Sequence, residues 1–406
     1  MNAAPRVAFF TDSFQEVNGV ALTSRQFEAF ARRRGLPFLS VHGGPRETVV
    51  KDEPAWTLEL RRGWAAFGLD RDLSCDPLLH MQHERVAQVL KEFRPDLIHI
   101  TGPGDLGTLG ALLAHMLRVP LAASWHTNLH EFAARRLERL LGRLPRRMRT
   151  LIAGQTEKLV LACVLRFYQL GRVLFAPNPE LVELLRRRTG RPTFLMERGI
   201  DTALFNPEKR ERPDGPLTLG FVGRITPEKD VRFLAEIERA LLRAGICEFQ
   251  FLIVGRGSEQ QWLSEHLWHA EFPGVLSGER LARAYANMDI LVFPSRTDTF
   301  GNVVLEAMAS GVPAVVTADG GPKFLVHSGE TGFVAADEPS YLQRVLELAS
   351  DRSLREKMSV AARQHAAHRS WDRVFENVYT AYGALLEDKT GAGSPVRQNH
   401  AICAGC

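Results

Sequence analysis

The residues best placed to do chemistry lie between Pro294 and Pro313, PSRTDTFGNVVLEAMASGVP, where two carboxylates, Asp298 and Glu306, stand eight positions apart. The apolar run Ile290 to Phe293 before them predicts a buried parallel strand. A polar turn follows, then a short helix from about Asn302 to Ser310, stopped by Gly311 and Pro313. This helix is apolar almost all round, with Glu306 its only charge. A carboxylate on a buried helix is costly unless something satisfies it. Its side chain leans back toward the helix start, where free backbone N–H groups favour an anion. Two arrangements meet those terms: a nucleotide, with its diphosphate on the amides and its ribose on Glu306, or a structural Arg or Lys paired with the acid. Asp298 precedes the helix and is free to point at a ligand from the loop.

A second cluster pairs with the first. The run Leu217 to Val222 reads as a buried strand ending in Gly223-Arg224-Ile-Thr-Pro-Glu-Lys229, which puts two cations five positions apart at a strand-to-helix turn. Arg224 offers a planar fork and Lys229 a point charge, a suitable pair for a diphosphate, although a surface turn would also hold them. Near the N-terminus, the strand Val7 to Thr11 leads through Asn18-Gly19 into a helix from about Ala21 to Arg34, and Gly19 lets backbone come close to a ligand. His126 follows the strand Pro120 to Ser124, at the carboxyl end where parallel sheets carry functional side chains. His99 lies inside its own strand and is read as structural.

Together these segments resemble the retaining glycosyltransferases of family 4 (glycosyl transferases group 1). The resemblance rests on the acid-x7-acid stretch, the G-R-x4-K segment, the His-Thr pair at 126–127 and Arg198-Gly-Ile-Asp201 with Phe205. It covers nearly everything from Val7 to Leu386. It implies an α/β chain of GT-B fold, two Rossmann-like doubly wound domains facing across a cleft. The expected boundaries are 1–193 for an acceptor-binding domain, 194–370 for a nucleotide-sugar-binding domain, 371–388 for a helix crossing back, and 389–406 for a disordered tail.

By the same resemblance, Asp298 and His126 contact the donor sugar, Glu306 binds the ribose, and Gly19 faces the donor phosphates. Gly223, Arg224 and Lys229 neutralise the leaving diphosphate together with the amides of Phe300, Gly301, Asn302 and Val303. Asp298 is one methylene shorter than the family's usual Glu, and Arg256 stands where members commonly carry an acid. The expected reaction is transfer of a hexose, with mannose from GDP-mannose foremost and UDP-linked donors open, to a lipid or glycan acceptor, without cofactor or metal. The stretch SRTDTFGNVVLEA resembles bacterial mannosyl- and sulfoquinovosyl-glycolipid synthases. A sugar-nucleotide epimerase or a phosphorylase on the same two domains is the alternative.

The elements that must position these residues fit the chain's bulk properties. At 406 residues, with 45% hydrophobic and 24% charged residues, two packed α/β domains are the natural reading. Residues 1–198 hold 29 Lys/Arg against 20 Asp/Glu, and the remainder 22 against 27, so the net +4 divides into +9 and −5. The segment 131–149 is a basic amphipathic pattern, with seven arginines, two glutamates and leucines at 137, 140, 141 and 144. Family members that dock on membranes use such helices, so Arg135 to Arg149 is an expected contact for an anionic membrane surface; a plain solvated helix is the other reading.

Nucleic acid is not an expected partner, because the basic stretch lacks interleaved aromatics. No apolar run is long enough to span a bilayer, and the start shows no signal-peptide pattern, so a cytoplasmic protein, peripheral on the inner face of the cell membrane, is expected. Asp70-Arg71-Asp72 lacks a preceding apolar strand and is read as chance rather than a metal motif. Gly255-x-Gly257 lacks the third glycine of a dinucleotide fingerprint. The five cysteines have no framework spacing, and Cys403 with Cys406 makes a single CxxC on the tail.

Overall fold

The computed structural model describes residues 4–16, 18–63, 67–70, 73–76, 79–141, 145–211 and 215–387. Its first lobe begins with β1 (Val7–Thr11), α1 (Gly19–Arg34), β2 (Phe38–Gly44), β3 (Thr48–Asp52), β4 (Ala55–Arg61), β5 (Phe67–Asp70) and β6 (Leu73–Cys75). It continues with α2 (His83–Phe93), β7 (Leu97–Ile100), α3 (Asp105–Leu117), β8 (Leu121–Ser124), α4 (Leu129–Leu140) and α5 (Arg146–Tyr168), then β9 (Val173–Ala176), α6 (Pro179–Thr189) and β10 (Thr193–Leu195). The sheet order is β10-β9-β8-β7-β1-β2-β4-β3, parallel except for β3, which returns antiparallel on β4; β5 and β6 pair separately.

The second lobe carries β11 (Leu217–Val222), α7 (Phe233–Arg243), β12 (Phe249–Val254), α8 (Gln260–His266), β13 (Ala270–Gly274) and α9 (Gly278–Ala286). It goes on through β14 (Ile290–Phe293), α10 (Asn302–Ala309), β15 (Ala314–Thr317), β16 (Gly332–Ala335), α11 (Glu338–Ser350) and α12 (Arg352–Ala367). Its strands are all parallel in the order β13-β12-β11-β14-β15-β16.

This is the expected α/β, GT-B arrangement of two doubly wound sheets, and the strand order says where ligands belong. Strand order reverses at β1 in the first sheet, and between β11 and β14 in the second. Loops leaving the carboxyl ends of strands at such points diverge and leave a crevice. The loop after β1 leads into Gly19 at the first position of α1, and the loops after β11 and β14 carry Gly223-Arg224 and Asp298. Local chemistry starts the helices on register: the Asn18 side chain caps α1 through the Ala21 N–H at 2.9 Å, and Asn178 with Pro179 does the same for α6.

Each sheet buries its own apolar core. A third cluster forms where α13 (Trp371–Glu387) crosses back onto α1, with Phe375 stacked on Phe27 at 4.4 Å and Arg33 paired to Asp372 at 2.6 Å. The first sheet runs to Leu195, because Thr193, Phe194 and Leu195 pair with Leu174, Phe175 and Ala176 of β9. A three-residue strand after Arg191-Pro192 is too short to leave a periodic signal. The basic segment forms two helices, α4 and α5, packed against each other. Arg71, Asp72 and the tail from 388 onward, with Cys403 and Cys406, lie outside the described residues. Among the described residues no helix is long and apolar enough to cross a membrane.

Candidate active site

The loop from β14 to α10 is built to hold a charge at a helix mouth. Gly321 N–H donates to the Asp298 carbonyl at 2.6 Å, pinning the loop to the next turn. The loop closes at Gly301 with φ of 94°, where a Cβ would also lie 2.8 Å from Pro322 Cγ. Only glycine suits that backbone. With Gly301 as the N-cap, no side chain caps α10, so the amides expected to receive phosphate, from Phe300 to Val303, meet at an end left to an outside acceptor.

Asp298 sits before this mouth between two donors: Lys229 Nζ lies 2.6 Å from Oδ1, and the Ser295 hydroxyl donates to Oδ2 at 2.5 Å. Two residues read separately, one as a sugar contact and one as a phosphate cation, thus form a single ion pair. Arg224 is more open, its Nη2 3.5 Å from Glu228 Oε1. Gly223, with φ of 150°, turns the chain out of β11 just before it.

Of the two arrangements open for Glu306, the structural ion pair is absent: among the described residues no Arg or Lys reaches it. Its partner is the Tyr285 hydroxyl of α9, which donates to Oε2 at 2.8 Å. Burial pushes the Glu306 carboxyl up to about 7, and the Tyr285 bond pulls it the other way. An acid held near neutrality, with one oxygen committed to a phenol, is suited to accept from a ligand hydroxyl.

The first lobe meets the second through His126. Its Nδ1 lies 2.8 Å from Arg198 Nη2, and its Nε2 lies 2.6 Å from Ser124 Oγ. Arginine only donates, so Nδ1 accepts and Nε2 carries the proton, which it gives to Ser124. The Ser124 hydroxyl lies 2.9 Å from His99 Nε2, and His99 Nδ1 meets Tyr382 of α13. Both ring nitrogens of His126 are therefore hydrogen-bonded within the protein. Arg198 lies 72 positions away, and no local spacing could reveal that bond. What His126 offers across the gap is its carbonyl, which accepts from Thr299 Oγ1 at 2.9 Å. Asn178 Nδ2 donates to the Thr299 carbonyl at 2.7 Å. Gly19 stands opposite the first residue of α10: a Cβ on it would come within 2.9 Å of Asn302 Nδ2.

Three residues that the sequence does not single out belong to this assembly, Tyr285, Ser295 and Thr299, and Arg198, read there only as part of a family segment, joins them through His126. Tyr285 could have been noticed as a hydroxyl on a helix otherwise buried through alanines, and Ser295 by its nearness to Asp298. Asp12 is a further partly buried acid, in the first lobe. Its Oδ1 accepts from Leu106 N–H at 2.9 Å at the start of α3, and burial raises its carboxyl to about 6. Among the described residues no three His, Cys, Asp or Glu side chains are grouped to hold a metal ion.

Against this geometry the relationships are clear. Residues 216–351 match the family described as Glycosyl transferases group 1, and residues 40–204 match Glycosyltransferase Family 4. A GDP-mannose-dependent alpha-mannosyltransferase of Mycolicibacterium smegmatis is 31% identical over 318 residues, covering 76% of this chain and 78% of that protein. The chain belongs to glycosyltransferase family 4. A like-named protein of Corynebacterium glutamicum is 30% identical, over 74% of this chain and 70% of its own length. The sulfoquinovosyl transferase SQD2 of Arabidopsis thaliana is 31% identical over 73% and 58%. The fold matches a sucrose-phosphate synthase from Thermosynechococcus elongatus with a TM-score of 0.71 at 20% identity, covering 94% of this chain and 99% of that one. As a family 4 glycosyltransferase the protein is a hexosyltransferase, and the loop from β14 to α10 is the candidate site for its donor.

Proposed function

We propose that the protein transfers a hexose, foremost mannose from GDP-mannose, to a lipid or glycan acceptor with retention of anomeric configuration. The observation that carries this reading is Glu306: a partly buried acid without a basic partner among the described residues, on a helix whose N-terminus no side chain caps. A ribose hydroxyl on Glu306 and a diphosphate at the amides of residues 300–303 would satisfy both. The names of the relatives favour mannose and GDP. Lys229 and Arg224 supply positive charge for the departing diphosphate, so that no metal is required. Lys229 is paired with Asp298 in the structure, and in this reading incoming phosphate takes over the ammonium while Asp298 turns to the sugar hydroxyls. His126 enters as a positioning residue. The acceptor approaches from the first lobe, and the departing phosphate oxygen takes its proton.

A peripheral membrane site on the cytoplasmic face is part of the same reading. It rests on α5, where Arg147, Thr150, Leu151, Gly154, Gln155 and Lys158 line an open hollow of about 720 Å³. Met148, Leu151 and Leu159 are exposed beside it, so cations stand among apolar side chains as an anionic bilayer surface requires.

The experiment is transfer with GDP-mannose and, in parallel, UDP-glucose, in EDTA, to a membrane lipid extract. The expected result is a mannosylated product with an α-anomeric proton by NMR. An inverted product would end the retaining mechanism, and a strict need for added divalent metal would end the metal-free one. No binding of either sugar nucleotide by calorimetry would overturn the reading as a whole.

A further inference from the structure

We propose that Tyr285 is a positioning residue of the donor site: its hydroxyl holds one oxygen of Glu306 and keeps the group an ionised acceptor, leaving the other oxygen for a sugar hydroxyl of the nucleotide. The proposal rests on the donor reading above and adds to it a residue from a different helix. Tyr285 lies on α9 and is fully buried, with its ring edge-on to Phe205 at 5.7 Å. Among the described residues, Glu306 is the group its hydroxyl bonds, at 2.8 Å, and nothing bonds the second oxygen of Glu306. A buried hydroxyl seldom stands without a purpose, since it costs free energy unless bonded. Phenylalanine would fill the same space more cheaply if packing were the only demand.

The surroundings leave Tyr285 in control of the acid. α10 packs against α9, α12, β14 and β15. Neither strand carries a titratable residue. From α12, Arg363 reaches the end of α10 but is spent on the carbonyls of Ala309, Phe205 and Thr202. On α9, Glu279 and Arg283 pair outward with Lys209 and Glu211, and Arg280 is exposed. At the mouth, Asp298 is engaged by Lys229, and Arg224 by Glu228. Burial raises the Glu306 carboxyl and the phenol opposes it, so removing the phenol moves the acid further toward its neutral form.

The test is calorimetric titration of the full chain with GDP-mannose, and with UDP-glucose in parallel, between pH 6 and pH 9. The diphosphate of a sugar nucleotide is a diester and does not itself titrate in that range. With Glu306 near 7, wild-type affinity should rise about tenfold from pH 6 to pH 8. In Tyr285→Phe the rise should move to higher pH, so that the wild-type advantage is largest near pH 6 to 7 and shrinks toward pH 9. Site-specific 3-fluorotyrosine at 285, a stronger donor of nearly the same size, should move the rise the other way, and it keeps the test open if Tyr285→Phe does not fold. Equal losses at every pH, or a rise at the same pH in both replacements, would mean that Tyr285 only packs, and would overturn the proposal. If the wild type binds neither nucleotide, the donor reading fails with it; if it binds and only the shifts are missing, this inference alone fails.

Discussion

The two lobes carry the same kind of sheet and present opposite kinds of edge to the gap between them. The first spends its polar side chains on itself. Tyr382, His99, Ser124, His126 and Arg198 form one buried chain of hydrogen bonds that ties the crossing helix α13 to the segment leading into the second lobe. The second leaves its charges within reach: the Lys229–Asp298 pair at the mouth of α10 and Glu306 with one oxygen open. Their shared topology brings loops to the gap in both cases, but it does not say which loops bind and which ones brace. The partners of each side chain say that. A substitution on the bracing edge should be read in stability, and one on the binding edge in turnover.

The sharpest way to break this contrast is at the binding edge. Lys229→Ala removes the cation set against the leaving diphosphate, and turnover should fall about 10²- to 10³-fold, the scale seen when one charge-stabilising donor is lost. Glu306→Ala should raise the KM for the sugar nucleotide and lower turnover as well. Both variants should melt cooperatively near the wild type, since neither belongs to a core cluster. Steady-state kinetics with calorimetric melting checks this, and near-normal rates in both variants would remove the site.

At the bracing edge the expected sign of the evidence reverses. Arg198→Met leaves the Met196 and Glu197 carbonyls and His126 Nδ1 without their donor. Orphaned buried acceptors of this kind should cost about 2–4 kcal/mol in denaturant unfolding. Turnover of the folded fraction should change less than in Lys229→Ala. A stable Arg198→Met that has lost turnover would instead put this guanidinium on the donor.

Much of this was legible in the sequence, and the rest was not for a physical reason. Strand-loop-helix repetition fixed two parallel sheets, and Asp298, Glu306, Arg224 and Lys229 were each found because spacing along one segment carries them to one turn. The predicted helix from about Asn302 to Ser310 differs from α10 by a single residue at its end. What spacing cannot carry is a partner from another segment. Lys229 and Asp298 were assigned separate duties across 69 positions and proved to share a bond. The strand-end position of His126 fixes its Cα, while the bonds of its ring to Arg198 and Ser124 come from another segment and from the fold. The end of the first sheet at β10, Thr193–Leu195, is not readable to the residue, because three residues hold too little pattern.

Protonation separates the edges more gently. Burial holds His99 down to about 3 and lowers His126 as well, so both stay neutral in the fold while they charge near 6.5 once unfolded. Their contribution is present above pH 6.5 and lost as pH falls toward 3. Glu306 has the opposite sign: raised from 4.5 to about 7, it contributes fully below about pH 4.5, and that contribution is lost as pH rises through about 7. Denaturant midpoints measured from pH 4 to 8 should therefore show His99→Phe flattening the acid limb and Glu306→Gln flattening the limb near neutrality. If the two variants flatten the same limb, the assignment of neutral histidines to one edge and a poised acid to the other is wrong.

The smallest effect tests how the edges are joined. Lys323 Nζ lies 2.6 Å from Glu180 Oε1 across the gap, but the glutamate side chain is 62% exposed. Such a pair gains little from charges that water already screens, so Lys323→Ala should cost less than about 1 kcal/mol and lose even that in high salt. Thr299→Val, which removes the donor to the His126 carbonyl on the buried side of the same junction, should cost more, by about 1–2 kcal/mol. It should also raise the KM for the sugar nucleotide, because Thr299 sits between Asp298 and the mouth of α10. If Lys323→Ala proves the costlier of the two in both respects, the lobes are held by their rim, and the buried bonds to Thr299 are a consequence of closure instead of its cause.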